Sequence, residues 1–281
     1  MTKAIRIDKT YTLSELIEAA QTTKPKGDWI NSNSSTKAND DNWQDCDTYD
    51  DAVTLLGSGW QEGLKSLDTA YMAIPESTRE IRPKTITRIG IAGSRPMIPL
   101  YVAGAPAHME TFTRELTAAP VIRLVVPVVY SWMVKKTTVT AYGAAIAALV
   151  DSLESTGVSV EVIGVWATKC RAGYKIRAGR DTVKFTITLK DAGQPLDMDS
   201  LSFALTNSSF VRRLMFRLME SYSETYNSFA YGYGLPVQPK AILPNDLVLD
   251  MLTDTDNGTS VESFYERIKA SYEAFNEGCE A

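Results

Sequence analysis

The sequence predicts a mixed α/β fold, in which helices flank a central mixed β-sheet, and three neighbouring segments carry this prediction. The run 121–134 is apolar and rich in valine and isoleucine, which predicts a central strand with a bulge or bend at Pro127. Residues 139–156 place alanine and leucine at helical spacing and end at a glycine, as a packed helix does. Residues 158–166 alternate as a strand. Together these segments predict a βαβ unit at about 121–166, with parallel strands and a right-handed crossover.

A further strand is predicted at 182–189, where apolar and polar residues alternate. Its inward positions are Val183, Phe185, Ile187 and Leu189. We expect this strand to pair antiparallel to the preceding one. Residues 84–92 also alternate and predict a strand, whereas 93–106 are rich in glycine and proline and predict a loop.

Two capping boxes mark the starts of helices in the first quarter of the chain. Thr12 stands three residues before Glu15 and opens a helix over about 11–21. Thr48 stands three residues before Asp51 and opens a second helix, which glycines end before a Gly-Trp turn. Helical spacing predicts further helices at about 60–74, 196–205, 210–226 and 261–274.

The chain of 281 residues is 44% hydrophobic and 22% charged, which is enough apolar material for one sizeable core. We therefore expect a single domain over residues 1–281. Residues 22–47 are rich in serine, asparagine and aspartate and predict a flexible loop. Residues 240–281 predict a C-terminal helical extension.

The sequence indicates a protein of a reducing cytoplasm that does not enter a membrane. The longest apolar run is shorter and more polar than a membrane span of roughly 20 residues. The first residues are not followed by an apolar segment with a cleavage site. The three cysteines, Cys46, Cys170 and Cys279, lie far apart, which fits a reducing compartment.

Charge is segregated along the chain although the net charge is only −5. Residues 1–83 hold 9 basic and 14 acidic side chains, residues 84–184 hold 13 and 6, and residues 185–281 hold 7 and 14. A basic middle third between acidic flanks is a feature of proteins that bind polyanions. The alternative is that the three segments neutralise one another on folding.

The basic connection, residues 167–181 between two predicted strands, concentrates this positive charge. Its five cations are Lys169, Arg171, Lys175, Arg177 and Arg180. Such a loop attracts backbone phosphates without regard to sequence, and an aromatic ring such as that of Tyr174 can stack on an unpaired base. The composition therefore predicts contact with single-stranded rather than duplex DNA.

A second group of candidate contacts follows the first strand of the βαβ unit, where ligands commonly bind in α/β sheets. The full set of predicted DNA-binding residues is Trp132, Lys135, Lys136, Lys169, Arg171, Tyr174, Lys175, Arg177, Arg180 and Lys184. Trp132 and Trp166 end apolar strands, so each can instead be a core residue. Arg212, Arg213 and Arg217 form either a third basic patch or ion pairs with nearby glutamates.

The residue types that catalysis or metal binding requires are scarce. The single histidine, His108, lies in a loop without a neighbouring nucleophile motif. No phosphate-binding loop, dinucleotide fingerprint or zinc pattern is present, and the acidic residues of 40–51 lack the spacing of a calcium loop. The sequence predicts a protein that is not an enzyme and has neither a cofactor nor a metal.

Three stretches resemble a family of bacteriophage proteins. These are Thr48 to Gly63 with its Tyr-Asp-Asp-Ala and Gly-Trp-Gln-Glu-Gly core, Gly143 to Val165, and Leu196 to Phe216 with Arg-Arg-Leu-Met-Phe at its end. The chain looks like the Drc-type single-stranded-DNA-binding cofactors of phage RNA polymerase in Enquatrovirus-like podophages. That resemblance implies engagement of early-promoter DNA and recruitment of a phage-encoded RNA polymerase.

The βαβ unit also looks like part of a von Willebrand factor A domain. Val-Tyr-Ser-Trp-Met at 129–133 stands where that domain has its DxSxS metal motif, which argues against ion-dependent adhesion.

The leading hypothesis is a non-enzymatic, homo-oligomeric single-stranded-DNA-binding protein that assists transcription. The first alternative is a structural or assembly protein of the phage that does not bind nucleic acid. The second is an enzyme that uses a carboxylate such as Asp151 or Glu161, which the sequence does not place in a pair.

Overall fold

The computed structural model of the protein describes residues 4–26, 32–33, 44–72, 74, 86–113, 121–170, 181–194, 198–223, 225, 229 and 232–279. The strands are β1 Arg6–Thr12, β2 Ile86–Gly90, β3 Arg95–Pro96, β4 Met109–Thr113, β5 Val121–Pro127, β6 Ser159–Lys169, β7 Thr182–Lys190, β8 Leu235–Pro236 and β9 Asp246–Val248. The α-helices are α1 Leu13–Thr22, α2 Tyr49–Ser58, α3 Gln61–Met72, α4 Ile98–Val102, α5 Lys136–Ser155, α6 Met198–Thr206, α7 Phe216–Glu220 and α8 Val261–Cys279. A π-helix, Phe210–Met215, leads directly into α7.

The main sheet has six strands in the order β1-β7-β6-β5-β9, with β8 paired to β6 beside this path. Strand β5 runs parallel to both β6 and β9, β7 runs antiparallel to β6, and β1 runs parallel to β7. The mixed α/β fold, the βαβ unit and the antiparallel strand at 182–189 are therefore confirmed. Pro127 ends β5, in keeping with its inability to donate to a sheet ladder.

Helix α5, the crossover of the βαβ unit, is buried along most of its length because small residues let its neighbours approach closely. It packs against α6 and α8. A Cβ atom added at Gly143 would lie 2.5 Å from the carbonyl oxygen of Leu205, so the contact with α6 depends on that glycine. The alanines at 145 and 148 are fully buried in the same core.

The two faces of the sheet are distinct. Trp166 and Phe185 point to the face that carries the main core, and their rings stack at 5.3 Å. Val125, Ile163 and Val165 point to the other face, where they form a smaller buried cluster. Because side chains alternate along a strand, a polar residue next to one of these side chains points to the opposite face of the sheet.

Both predicted capping boxes are present. The backbone N–H of Glu15 donates to the Thr12 hydroxyl at 3.2 Å, and the Thr12 N–H donates to the Glu15 carboxylate at 2.8 Å. Thr48 and Asp51 make the same reciprocal pair at the start of α2. Each box satisfies two backbone donors that the first turn of a helix leaves without partners.

Residues 86–113 form a separate, antiparallel three-stranded sheet in the order β2-β4-β3. The prediction of a loop over 93–106 is wrong in part, because β3 and α4 lie within it. Pro99 suits the first turn of a helix, which needs no N–H donor there, and the Met97 N–H donates to the His108 carbonyl at 2.7 Å.

The C-terminal region contributes to the main sheet as well as forming a helix. Strand β9 pairs with β5, and α8 packs on α5. The predicted loop 22–47 falls largely outside the described residues. Within its described part, Ser32 is buried and donates its N–H to the Glu220 carboxylate at 3.0 Å. Among the helices that the structure describes, none has the length and apolar character needed to cross a membrane.

Candidate nucleic-acid interface

A cleft opens at the carboxyl ends of the parallel strands β5 and β6. Its cavity volume is about 330 Å³. Four segments line it, namely 129–132 after β5, 166–168 on β6, 211–216 on the π-helix and α7, and 232–236 at β8. We call this the edge cleft. In open α/β sheets, ligands bind at this end of parallel strands.

Five aromatic residues contribute to the walls of the edge cleft. They are Tyr130, Trp132, Trp166, Phe216 and Tyr233. Tyr233 stacks on Phe216 with 3.3 Å between ring centroids and 8° between ring planes. The Tyr233 hydroxyl donates to the buried carboxylate of Glu220 at 2.5 Å, which fixes the ring in this position. The part of the wall formed by Tyr233 is thus flat and held from behind.

Arg212 brings a buried positive charge to the edge cleft. Its side chain is 2% exposed, and one guanidinium N–H donates to the Val134 carbonyl at 2.8 Å. The guanidinium carbon lies 5.2 Å from the centroid of the Tyr130 ring. Burial lowers the pKa of Arg212 below its ordinary value and raises the pKa of the Tyr130 phenol. Arginine remains charged through such a shift, so the cleft has one fixed cationic wall.

Two hydroxyl groups in the edge cleft are buried without a partner. The Tyr130 hydroxyl and the Thr168 Oγ1 make no hydrogen bond within the part of the chain that the structure describes. Most buried polar groups in proteins are paired, and leaving one unpaired costs about 1–3 kcal/mol. Both oxygens are closed to solvent, so they lie behind the surface of the cleft.

Of the three predicted contacts that follow β5, Trp132 lines the cleft, and Lys135 and Lys136 stand at the start of α5. Trp132 is 74% exposed and lines the cleft, so its interpretation as a core residue is wrong. Lys135 is the N-cap of α5, and its backbone N–H donates to the Asn257 side chain at 2.9 Å. The ammonium group of Lys136 lies 3.8 Å from the Asp45 carboxylate and remains about half exposed.

Lys169 and Lys184 lie on the other face of the sheet. Lys184 neighbours Phe185 and pairs in register with Ala167, so its side chain points away from Trp166. Its ammonium group lies 3.6 Å from the Asp8 carboxylate. The structure therefore does not place these two lysines in the edge cleft.

The backbone of Lys169 nevertheless holds one wall of the cleft. Gly234 has a φ of +85°, and an added Cβ atom there would lie 2.7 Å from the Lys169 carbonyl oxygen. Only glycine fits this turn, which brings Leu235 into register with Lys169.

The remaining predicted contacts, Arg171, Tyr174, Lys175, Arg177 and Arg180, lie outside the described residues. They stay predictions. Trp166 is 1% exposed, and its ring is part of the core even though its edge reaches the cleft.

The hypothesis of a third surface patch at the arginines after Phe210 is wrong. Arg212, Arg213 and Arg217 are all buried. Arg213 donates to the backbone carbonyls of Ser32, Cys46 and Asp47, and the guanidinium of Arg217 lies 4.1 Å from the centroid of the Tyr49 ring. Carbonyl groups and an aromatic face compensate these charges, which a sequence pattern cannot reveal.

A family model described as a domain of unknown function (DUF7192) matches residues 9–272. The chain belongs to the DUF7192 family. The DUF7192 match includes the three-stranded sheet, all of the main sheet except the first residues of β1, and all four segments of the edge cleft. Neither the curated proteins nor the solved structures that were searched contain a match to this chain.

The candidate groups Glu161 and His108 do not line the edge cleft of this DUF7192 chain. Glu161 forms an ion pair with Arg123 at 2.7 Å, and the His108 ring contacts the Ala105 carbonyl at 2.8 Å within the small sheet. Within the described ranges, no three His, Cys, Asp or Glu side chains come close enough to hold a metal ion.

The sequence prediction missed Tyr130, Thr168, Arg212, Phe216 and Tyr233 as cleft residues. An aromatic, glycine-rich segment around 232–236 was visible in the sequence as a loop signal. Nothing in the local pattern places it against β6, because that contact depends on chain folding over more than 60 residues.

Proposed function

We propose that this chain is a non-enzymatic protein that binds single-stranded DNA through the edge cleft. The observation that carries this proposal is a cleft lined by aromatic rings, including an exposed tryptophan, which two lysines at the start of a helix follow in the chain. The Trp132 side chain is 74% exposed, and Lys135 and Lys136 follow it at the start of α5. An aromatic platform beside cations is the combination by which proteins hold unpaired bases and their phosphates.

The shape of the cleft favours a single strand over a duplex. The rings of Tyr130, Trp132 and Tyr233 line a cavity that an unpaired base can enter edge first. In a duplex the base faces are occupied by their neighbours, so stacking on protein requires an unstacked nucleotide.

The start of α5 is the expected phosphate contact. The aligned peptide dipoles of this 20-residue helix favour an anion at its N-terminus, where both lysines stand. The Asp45 carboxylate opposes this attraction for anions in part, since it lies 3.8 Å from the Lys136 ammonium group. Phosphates next to a stacked base therefore meet a site that is positive on balance.

The resemblance described above supports a more specific role within this proposal. The protein acts in the host cytoplasm as a transcription cofactor that recruits a phage-encoded RNA polymerase to early promoters. The acidic terminal segments 1–83 and 185–281 are the expected polymerase contacts. The test is a pull-down of the polymerase with the intact protein and with a variant in which exposed acidic residues of α8 are neutralised. Loss of recruitment in that variant supports the contact at α8, and full recruitment argues against it.

A phage structural or assembly protein that does not bind nucleic acid is the second candidate. It is supported by exposed apolar side chains on and around the small sheet, Ile89, Ile91, Ile98, Tyr101 and Val102. Such a patch is typical of a protein-contact surface, and it is also the expected site of the homo-oligomer. Presence of the chain in purified particles, without affinity for DNA, would favour this candidate.

Replacing Lys135 and Lys136 together by serine is expected to weaken single-strand binding and to reduce its salt dependence. Each phosphate contact contributes about 0.7 to the slope of log affinity against log salt, so losing two lowers the slope by about 1.4. Fluorescence anisotropy of a labelled strand of about 30 nucleotides, across about 50–200 mM salt, measures this. A duplex of the same sequence is measured in parallel.

The matched control replaces Lys9 and Lys24 by serine. Both are exposed, they lie on β1 and after α1, and neither stands at the start of α5. A third variant replaces the four arginines and lysines of the basic connection that follow Lys169. Equal slopes for the cleft pair and the control pair would contradict the phosphate contact at α5, and absence of binding by the wild type at low salt would remove the proposed function.

A further inference from the structure

Asn257 joins the C-terminal region to the turn that carries Trp132. Its side-chain oxygen accepts from the Lys135 backbone N–H at 2.9 Å and from the Thr138 hydroxyl at 3.1 Å. Its side-chain N–H donates to the Met133 carbonyl at 3.0 Å. One side chain thus bonds both to the turn after β5 and to the first residues of α5, at least 119 residues away in sequence.

The local sequence fixes the position of Asn257. Thr253 and Asp256 form a capping box, in which the Thr253 N–H donates to the Asp256 carboxylate at 2.8 Å. Arg267 of α8 donates to the same carboxylate at 2.8 Å. Asn257 and Gly258 then form the corner of a type II turn, since Asn257 has φ −60° and ψ 123° and Gly258 has φ +88°. The Asn257 side chain therefore extends from a corner that α8 anchors.

The turn that carries Trp132 is held at a further point. The Val134 carbonyl, which lies between the two backbone groups that Asn257 binds, accepts from Arg212 at 2.8 Å. The Val134 N–H donates to the Ser131 carbonyl at 3.1 Å and closes the turn. Arg212 lines the edge cleft, whereas Asn257 does not. Asn257 can therefore be replaced without removing a wall of the cleft.

We infer that Asn257 is a positioning residue for DNA binding. By fixing the backbone directly after Trp132, it holds this exposed ring at the edge cleft. Binding residues depend on such neighbours to lock their geometry. A ring that is already ordered loses less conformational freedom when a base stacks on it. The effect on affinity rests on the proposed function, whereas the effect on the order of the ring does not.

Fluorine NMR of the intact protein labelled with 5-fluorotryptophan observes the ring directly. The chain has five tryptophans, and the resonance that is missing from Trp132→Phe belongs to Trp132. We expect Asn257→Ala to shift and narrow this resonance, because the ring gains rapid local motion, and to leave the other four in place. Asn257→Asp keeps an acceptor for Lys135 and Thr138, so its Trp132 resonance should lie closer to that of the wild type.

Fluorescence anisotropy with a labelled single strand measures the consequence for binding. We expect Asn257→Ala to weaken binding by about 3- to 10-fold, the effect of having to order one side chain on binding. Thr12→Ala is the matched control, because it removes a side-chain hydrogen bond at the start of another helix, α1. It should change neither the Trp132 resonance nor the affinity. Asn257→Asp is left out of this comparison, since its added charge would repel phosphates next to Lys135.

The outcomes separate the inference from the proposed function. An unchanged Trp132 resonance in Asn257→Ala overturns the inference, and so does a shift of all five resonances together, which would indicate a general loss of packing. A shifted Trp132 resonance with wild-type affinity for the strand also overturns it, because the order of the ring would then not serve binding. Absence of strand binding by the wild type removes the proposed function, and the resonance alone then decides whether Asn257 holds the ring.

Discussion

Replacing Arg213 by methionine is expected to lower the free energy of unfolding by about 3–5 kcal/mol. The Arg213 side chain is 1% exposed and donates to the carbonyl oxygens of Ser32, Cys46 and Asp47 over distances of 2.7–3.1 Å. Methionine fills much of the volume but donates nothing, so three carbonyl groups lose a charged partner. Each carbonyl left buried and unpaired costs about 1–3 kcal/mol, and local relaxation offsets part of the sum.

The effect of Arg213→Met is measured by urea unfolding monitored by circular dichroism. Arg95→Met serves as the control, because the Arg95 side chain is 72% exposed and lies 3.8 Å from its partner Glu110. Surface substitutions of this kind change stability by about 0.5 kcal/mol or less. Equal stability of the two variants would contradict the structural role assigned to Arg213.

Arg213 also links the fold to the edge cleft. Arg213 directly follows Arg212 on the π-helix, and Arg212 lines the cleft. A π-helix turn is found often at functional sites, since it changes the direction of side chains within a helix. We therefore expect Arg213→Met to loosen the cleft wall as well as the segment around Cys46.

Replacing Trp132 by alanine is expected to weaken single-strand binding by about 5- to 150-fold, with little change in stability. Stacking of one base on an aromatic side chain contributes about 1–3 kcal/mol. The Trp132 side chain is 74% exposed, so its removal takes little from the core. Anisotropy measures the affinity, and thermal unfolding measures the stability.

Trp132→Phe is the control for this prediction. A phenyl ring keeps a stacking face, so this variant should retain most of the affinity. Wild-type affinity in Trp132→Ala would show that the exposed ring does not contact the strand. A large loss of stability in Trp132→Ala would instead assign the ring to packing.

The βαβ unit was predictable because its signals are local. Three local patterns indicate burial. They are the alternation in 158–166, the alanine stripe of α5 and the valine-rich run after 121. The capping boxes at Thr12 and Thr48 are equally local, since they depend on residues three apart. For these elements the sequence pattern and the tertiary fold agree.

Strand β1 was missed because its pattern is interrupted. Ile7 and Tyr11 pack on the main core, but Lys9 stands between them on the same face. An edge strand tolerates such a lysine, because one side of it meets solvent. Strand β9 has only three residues, Asp246–Val248, which is too short for a periodic signal.

The edge cleft was predictable only in part. Trp132 was identified because it follows an apolar strand, where ligands bind in α/β folds. Arg212 was considered as part of a surface patch, because a buried arginine is rare. The hydrogen bond that compensates its buried charge goes to the Val134 carbonyl, which is distant in sequence. Lys184 has the charge of a contact residue, yet strand alternation places it on the opposite face.

The most direct test of the central claim, that the edge cleft holds an unpaired base, is photocrosslinking with a strand that carries 5-iodouracil. This base crosslinks to aromatic rings on which it is stacked, and mass spectrometry of the digested complex locates the attachment. We predict crosslinks at Trp132, Tyr130 or Tyr233, all of which are lost in competition with unlabelled single strand but not with duplex. Efficient crosslinks that fall only on residues outside the cleft would contradict the assignment of this cleft as the DNA-binding site.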